Sequence, residues 1–354
     1  MVYKQKKIQD LVRSNYSPPT KPYANWSFQD YIGHNNIRYF SFARHALYEA
    51  LKLCNVKSGD KVLLPGFICR EILSAINTIG AIPEYYEVTS NLQIQSIENL
   101  SSAKVIIVVN YFGFSSNLDL IKKYCSENNI LIIEDNSHGF LSSDLNNKPL
   151  GTRTNIGIFS IRKTLPVVNG AALVINDLKS NSRIVNQIDY DKSITPSIRQ
   201  HIKRIIKNLL PKNKYNFIFL LIKIKQAIRY YLKGSFVANS SLRSEYDLPN
   251  TVKPHIDLIK YMKTISFHKE IERRRLLYNY LVDYIGNDVE VIFKKLEPNT
   301  IPYVFPFRSN NIEYVRTKLK KISLGCYRWP ELPEKIYLSC PKHYKNVWMV
   351  PFLW

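Results

Sequence analysis

The stretch KVIIVVNYFGFSSNLDLIKKYCSENNILIIEDNSHG, residues 104–139, decides the fold of this chain. Its two apolar runs, VIIVV and ILII, are typical of strands that are buried on both faces. The intervening LDLIKKYCSE has apolar residues at helical spacing, so the stretch predicts a strand, a helix and a second, parallel strand. Asp135 and His138 follow the second strand. Ligands of open α/β sheets bind beyond the carboxyl ends of the strands, so we expect a functional site there.

The same alternation of helix and strand patterns extends outward from about residue 40 to residue 177. Helical patterns in HALYEALKLC and REILSAINTIG alternate with the strand patterns KVLLP, AIPEYYEV, NIGIFSI and GAALVIND. This order predicts an α/β fold with a mainly parallel central sheet. Residues after 254 read as a long helix followed by strand, turn and helix, which indicates a smaller C-terminal α/β domain.

A chain of 354 residues is longer than one hydrophobic core usually supports, so we expect two domains. The predicted division is an N-terminal segment 1–35, a large domain 36–180, a basic helical insertion 181–250 and a small domain 251–354. The five cysteines show no metal-ligand or disulfide spacing, so no metal site is predicted. The N-terminal residues lack the apolar core of a secretory signal, and we expect a cytoplasmic protein, with contact to the inner face of the membrane left open.

The charge balance favours an anionic partner, because 50 Lys and Arg face 28 Asp and Glu, a formal net charge of +22. Residues 197–235 hold ten basic residues and no acidic one, interleaved with apolar runs. Three interpretations stay open for this segment: a solvated amphipathic insertion packed on the body, a helix on a membrane surface, or a nucleic-acid contact, which we expect least.

Three features match the needs of a pyridoxal phosphate (PLP) enzyme, which are a lysine, an acid for the ring nitrogen and a phosphate cradle. Lys163 lies 28 residues after Asp135 and follows another predicted strand, so both side chains can reach one crevice. The segment SFARHAL, residues 41–47, enters a predicted helix, whose N-terminal amides favour an anion. Each feature alone has an ordinary interpretation: a strand-end turn, a solvated lysine or a simple helix cap.

Taken in order, the segments SFARHALYEALKL, GDKVLLPGFIC, KVIIVVNYFG, ILIIEDNSHG and GIFSIRKTLPVVNGAALVIND resemble the DegT/StrS-type family of PLP-dependent sugar aminotransferases. The resemblance covers about residues 38–177 and continues weakly in IERRR, residues 271–275. It implies the PLP-dependent aminotransferase fold of type I and the transfer of an amino group, usually from glutamate, to a nucleotide-linked keto-sugar. It also implies a homodimer, and cell-surface polysaccharide synthesis is the pathway we expect from it.

The resemblance assigns roles to individual residues. Lys163 corresponds to the lysine that carries PLP, and Asp135 to the acid at the pyridine nitrogen. His138 corresponds to the Gln or His beside the ring and its phenolic oxygen. The phosphate contacts are assigned to Ser160, to the backbone amides of Ala43 and Arg44, and to Asn250 acting on the partner subunit. Arg44, Arg162 and Lys253 are the candidates for cationic contacts to the substrate phosphates.

The sequence departs from the family pattern at several of these points. Ser160 lies three residues before Lys163 where the family has five, and the family segment GEGG is VNGA here. Cys69 stands near the position of the aromatic residue that stacks on the ring, so Phe67 or Tyr111 would replace it. Two alternatives therefore stay open, a binding or scaffold protein without turnover and a PLP-dependent sugar dehydratase. Lys163 argues against the dehydratase, which typically has histidine at that position.

Overall fold

The computed structural model of the chain describes residues 28–33, 36–96, 102–165, 167, 169–177, 241–255, 258, 267–322 and 324–352. The basic segment 197–235 lies outside these residues. The helices are α1 Phe28–Ile32, α2 Ala43–Leu53, α3 Leu73–Ile79, α4 Asp119–Glu127, α5 Ile161–Thr164, α6 Phe267–Ile285, α7 Ile312–Lys321, α8 Glu334–Tyr337 and α9 Lys342–Lys345. The strands are β1 Ile37–Phe40, β2 Lys61–Pro65, β3 Ile82–Tyr86, β4 Val105–Val109, β5 Leu131–Asp135, β6 Ile156–Phe159, β7 Ala171–Ile175, β8 Glu290–Val291, β9 Val304–Arg308, β10 Tyr327–Arg328 and β11 Val347–Pro351.

Seven strands form the larger sheet in the order β1-β7-β6-β5-β4-β2-β3. The five strands from β6 to β3 run parallel, and β7 and β1 complete one edge in antiparallel pairings. The predicted mainly parallel α/β sheet is therefore confirmed. All five residues of β4 are buried, as the apolar run predicts, because helices and loops cover both faces of the sheet.

The smaller sheet is antiparallel and has the order β10-β11-β9-β8. It packs with α6 and α7 against the larger sheet through a continuous apolar core. Phe114, from the loop after β4, stacks on Phe293 with ring centroids 4.0 Å apart and also contacts Tyr278 of α6. This packing joins the C-terminal strands to the edge of the sheet where β4 and β5 end.

Two segments near the borders of the predicted domains pack against the large domain. Phe28 of α1 is fully buried and packs against Phe140 and Phe159 in the core of the large sheet. The 3-10 turn Leu242–Glu245 is joined to α3, because the Asn77 side chain donates to the backbone carbonyl of Glu245 over 2.8 Å. The division at residues 180 and 250 stays a prediction. Of the helices in the described ranges, none combines the length and the apolar character that a membrane crossing requires.

Candidate active site

Lys163 and His138 meet at the carboxyl end of the parallel strands. His138 comes three residues after β5, and Lys163 lies in the single turn α5 that follows β6. Since β5 and β6 are parallel neighbours, the residues that follow them emerge at the same edge of the sheet. Lys163 Nζ lies 3.1 Å from His138 Nε2, so the amine and the imidazole form a direct hydrogen bond.

The imidazole of His138 is enclosed on both faces. Phe112 and Tyr303 stack parallel to it with centroids 5.6 Å and 4.7 Å away, and Trp329 packs against it at 5.0 Å. His138 is therefore unable to stack on another ring, and its Nε2 edge is the part that faces Lys163. Burial, reinforced by the nearby charge of Lys163, lowers the pKa of His138 well below its ordinary value. The imidazole is neutral at physiological pH.

Both ring nitrogens of His138 are hydrogen-bonded. The Phe112 amide donates to Nδ1 over 3.4 Å, and Nε2 lies 3.1 Å from Lys163 Nζ. Together these contacts fix the plane of the imidazole and the position of the lysine nitrogen.

The Phe112 loop has a backbone conformation that suits this task. Phe112 has a φ of 57° and Gly113 a φ of 97°, both in the left-handed region. A Cβ atom at position 113 would lie 2.4 Å from the carbonyl oxygen of Ile301, so only glycine permits this approach. The Tyr303 amide donates to the Phe112 carbonyl over 2.7 Å, which fixes the loop to the C-terminal domain.

Asp135 ends β5 with its carboxylate half-buried. Oδ1 accepts a hydrogen bond of 2.9 Å from the Ser137 amide, and Oδ2 has no hydrogen-bond partner among the residues that the structure describes. Asp135, Lys163 and Arg44 all lie within electrostatic range of the Cys69 thiol. Burial, followed by the charge of Glu71, raises the pKa of this thiol to about 12. The sulfur is thus a neutral thiol within electrostatic range of both Lys163 and Asp135.

The predicted alternatives to Cys69 for packing a ring are interior residues. Phe67 is fully buried, and Tyr111 is 3% exposed with its hydroxyl donating to the Phe67 carbonyl over 2.6 Å. Their rings pack on each other and on Trp329. Both rings thus belong to the wall that supports Trp329 and His138.

The N-terminus of α2 forms the other side of the site. Phe42 is its N-cap residue and supplies no side-chain cap, and within the described ranges the amides of Ala43 and Arg44 have no acceptor. The guanidinium groups of Arg44 and Arg162 lie 5.5 Å and 5.2 Å from the centroid of the Phe42 ring. Burial lowers the pKa of Arg44, and Arg162 adds to the effect while Glu71 opposes it. Free amides and two cations at one helix end favour an anion.

The remaining predicted residues lie around this helix end and the Lys163 turn. Ser160 is buried at the start of α5, and its hydroxyl has no hydrogen-bond partner in the described part of the chain. Asn250 is exposed, but the segment that carries it contacts α2: the Ser41 amide donates to the Val252 carbonyl over 2.9 Å, and the Ser41 hydroxyl donates to the Thr251 carbonyl. The structure thus places Asn250 beside the helix end of its own chain. Lys253, which lies in the same segment, is exposed.

Arg274 of α6 is a functional candidate to which the sequence analysis gave no role. Its side chain is 1% exposed, and Nε donates to Glu270 over 2.6 Å. Its Nη atoms donate to the carbonyls of Tyr303 over 2.9 Å and of Thr164 over 3.1 Å. Arg274 therefore links α5, the turn that contains Lys163, to Tyr303, which stacks on His138. The family-like segment IERRR was the only sequence signal for it.

A second buried cation, Arg153, supports the loop after β5. Arg153 Nε and Nη2 donate to Glu134 Oε1 over 2.8 Å and 2.6 Å, and the Asn110 amide side chain donates to the same oxygen over 2.8 Å. Glu134 is fully buried next to Asp135. Asn110 also donates to the Asn136 side chain over 3.1 Å, so the network reaches the loop that leads to His138.

The fold is that of the PLP-dependent aminotransferases of fold type I. NtdA from Bacillus subtilis, solved with its bound cofactor PMP, superimposes with a TM-score of 0.60 over 99% of this chain and 78% of that one at 14% identity. Residues 22–189, just under half of the chain, match the model of the DegT/DnrJ/EryC1/StrS aminotransferase family.

Two curated relatives share part of the sequence. Protein MosB of Rhizobium meliloti is 29% identical over 54% of this chain and 35% of the relative. GDP-perosamine synthase of Vibrio cholerae is 25% identical over 37% of each chain. The matched region thus spans less than half of the length of either relative.

Proposed function

We propose that this chain is a PLP-dependent aminotransferase that moves an amino group from glutamate to the ketone of a nucleotide-linked sugar. The observation that carries the proposal is the hydrogen bond between Lys163 Nζ and His138 Nε2 at the strand edge that also holds Asp135. The family and the similarity to GDP-perosamine synthase support a sugar substrate. A role in cell-surface polysaccharide synthesis and a homodimeric, cytoplasmic enzyme are part of the same proposal.

The residues present fit three groups of PLP: the ring nitrogen, the phosphate and the aldehyde that a lysine attaches. The unpaired Oδ2 of Asp135 is an acceptor for a protonated pyridine nitrogen. The free amides of Ala43 and Arg44, with the guanidinium groups of Arg44 and Arg162, suit a phosphate. Lys163 supplies the amine that attaches the cofactor. When bound, PLP supplies a ring that accepts the electron pair released from the substrate carbon.

The chain's own groups divide the remaining tasks. Lys163 moves the proton at the substrate carbon, and the hydrogen bond to His138 holds its nitrogen in place for this step. His138 stays neutral, since burial opposes its protonation, and it positions Lys163 through Nε2. Phe112, Tyr303 and Trp329 keep water away from the imidazole and fix its plane.

The experiment that tests this proposal uses the full chain with PLP. Reduction with borohydride followed by peptide mass analysis is expected to find the cofactor attached at Lys163. Glutamate is expected to change the visible absorbance of the wild-type protein and to have no effect on Lys163→Ala. Lys148→Ala, which removes an exposed lysine, is the matched control and should behave as wild type. Attachment at another lysine, or a glutamate response that survives Lys163→Ala, would refute the assignment.

A further inference from the structure

A cavity of about 220 Å³ adjoins the site on the side of the C-terminal domain. It is lined by Arg70, Arg328, Pro330, Glu331, Leu332, Tyr337, Tyr344 and Lys345. Three of these residues are cationic and one is acidic, so the lining has an excess of positive charge. None of them has a role in the site described above.

Two chain segments connect this cavity to the reacting groups. Cys69 lies within electrostatic range of Lys163 and Asp135, and the next residue, Arg70, lines the cavity. Trp329 packs on His138, and its neighbours Arg328 and Pro330 line the cavity. The residues next to Cys69 and Trp329 thus form part of the cavity lining, so the cavity and the site share two chain segments.

The frame of the cavity is rigid. The Arg70 amide donates to the Glu331 carbonyl over 2.9 Å, and the Arg70 side chain donates to the Leu332 carbonyl over 2.8 Å. Tyr344 is 2% exposed, and its hydroxyl accepts a 2.8 Å hydrogen bond from the Val88 amide. These contacts fix the walls without using the two outer cations.

Arg328 and Lys345 are exposed, and neither has an ion-pair partner within the described ranges. Lys345 lies over the ring of Tyr337 with Nζ 5.3 Å from its centroid, which holds the ammonium group at the rim. Arginine and lysine in this arrangement suit the oxygens of phosphate groups. A volume below the roughly 300 Å³ of small ligand pockets fits part of a sugar nucleotide and excludes the whole molecule.

We propose that this cavity binds the phosphate groups of the acceptor substrate, with Arg328 and Lys345 as the phosphate ligands. The proposal rests on the proposed function for the identity of the substrate as a phosphorylated sugar. It separates two anion sites: the N-terminus of α2 for the cofactor, and the cavity for the substrate. A sugar held by its phosphates in the cavity would present its ketone toward Lys163.

Calorimetric titration of the PLP-saturated full chain tests this assignment, with inorganic pyrophosphate, UDP and uridine as the probes. Saturation with PLP fills the site at α2, so pyrophosphate reports on a second anion site. We expect pyrophosphate and UDP to bind and uridine to bind far more weakly. The double variant Arg328→Gln/Lys345→Gln should lower the affinity for UDP by at least about tenfold, the usual effect of losing one hydrogen bond to a charged group.

The matched control is Lys335→Gln/Lys342→Gln, which removes the same formal charge from exposed positions on α8 and α9 outside the cavity. It should leave the affinity for UDP within about twofold of wild type, because exposed charges outside a site are largely screened. An equal loss in both double variants, or equal binding of uridine and UDP, would overturn the proposal. The absorbance of bound PLP is recorded separately, so a failure of the proposed function is visible as missing cofactor or a missing glutamate response, whatever the titrations give.

Discussion

The two sides of the site differ in how completely their polar groups are paired. Around His138, both ring nitrogens are hydrogen-bonded, both ring faces are covered and the supporting cations Arg153 and Arg274 are saturated with acceptors. At the N-terminus of α2, two amides have no acceptor in the described part of the chain and Arg44 and Arg162 repel each other. Contacts within the chain therefore organise the acid–base side, whereas the first-turn amides of α2, like those of other helices, are available to an anion.

The largest expected effect is a loss of stability when Arg153 is removed from the His138 side of the site. Arg153→Ala leaves the fully buried carboxylate of Glu134 without its cation, which should lower the free energy of unfolding by about 3–5 kcal/mol. Urea denaturation followed by circular dichroism measures this change. Arg243→Ala, which breaks an exposed pair with Asp247, is the control and should cost less than about 1 kcal/mol. Similar losses in the two variants would contradict the comparison.

Arg274 and Arg273 offer a matched pair for testing how the lysine turn is positioned. Both donate to Glu270, but Arg274 reaches the carbonyls of Thr164 and Tyr303 while Arg273 reaches that of Phe352. Arg274→Ala should slow the reaction with glutamate about 100-fold, since a displacement of about 1 Å at reacting groups has effects of that size.

The measurement is the single-turnover rate of the glutamate reaction at saturating glutamate, and Arg273→Ala is the control. Both variants lose contacts to Glu270, so they should lose comparable stability in thermal unfolding. A purely structural role for Arg274 predicts equal rate losses in the two variants. We expect the rate of the Arg273 variant to remain within about tenfold of wild type, as it leaves the Thr164 carbonyl contact intact.

The affinity for PLP tests the other side of the site, the N-terminus of α2. Arg44→Gln should weaken PLP binding about tenfold, because one charge-assisted contact to the phosphate is lost. Absorbance titration with PLP gives the dissociation constant. Lys52→Gln removes a 55% exposed cation from the last turn of the same helix and should leave the constant unchanged. A loss of equal size in both variants would mean that general charge, not the helix end, attracts the cofactor.

The smallest expected effect is a change in the pH dependence of stability. Because burial lowers the pKa of His138 in the folded chain, the unfolded chain binds the proton more readily below about pH 6.5, the ordinary histidine value. The contribution of His138 is therefore present above that pH and is lost as the pH falls, by at most about 1.4 kcal/mol per pH unit.

His45 has a pKa lowered in the same direction by burial, so the wild-type slope contains both histidines. Urea unfolding at several pH values between 5 and 7 should therefore give a shallower slope for His138→Gln than for wild type. Glutamine keeps a hydrogen-bond donor toward Lys163 without a titrating group. An unchanged slope would show that His138 titrates equally in the folded and unfolded chains.

The sequence alone predicts the strands that are covered on both faces. β4 and β5 are predictable because both faces of each strand are covered, which requires the unbroken apolar runs seen in VIIVV and LII. Asp135, His138 and Lys163 are placeable from the sequence because each follows a strand of the same sheet, and parallel strands deliver such residues to one edge.

The parts that the sequence did not reveal depend on contacts between distant residues. Arg153 and Arg274 read as ordinary solvated cations, because nothing local shows that Glu134 or a set of backbone carbonyls will enclose them. Tyr303, which covers His138, comes just before β9 and lies 165 positions further along the chain. Phe67 and Tyr111 have aromatic rings of the kind that stack on a cofactor ring. In the fold, Trp329 and Tyr344 pack against them and bury them in the wall of the site.

The backbone bond from the Tyr303 amide to the Phe112 carbonyl has a consequence for the reacting groups. Phe112 also donates through its own amide to His138 Nδ1, and His138 Nε2 contacts Lys163 Nζ. The docking of the C-terminal strands and the position of the lysine nitrogen are therefore linked through a single residue, so a disturbance at this contact is transmitted to the proton carrier.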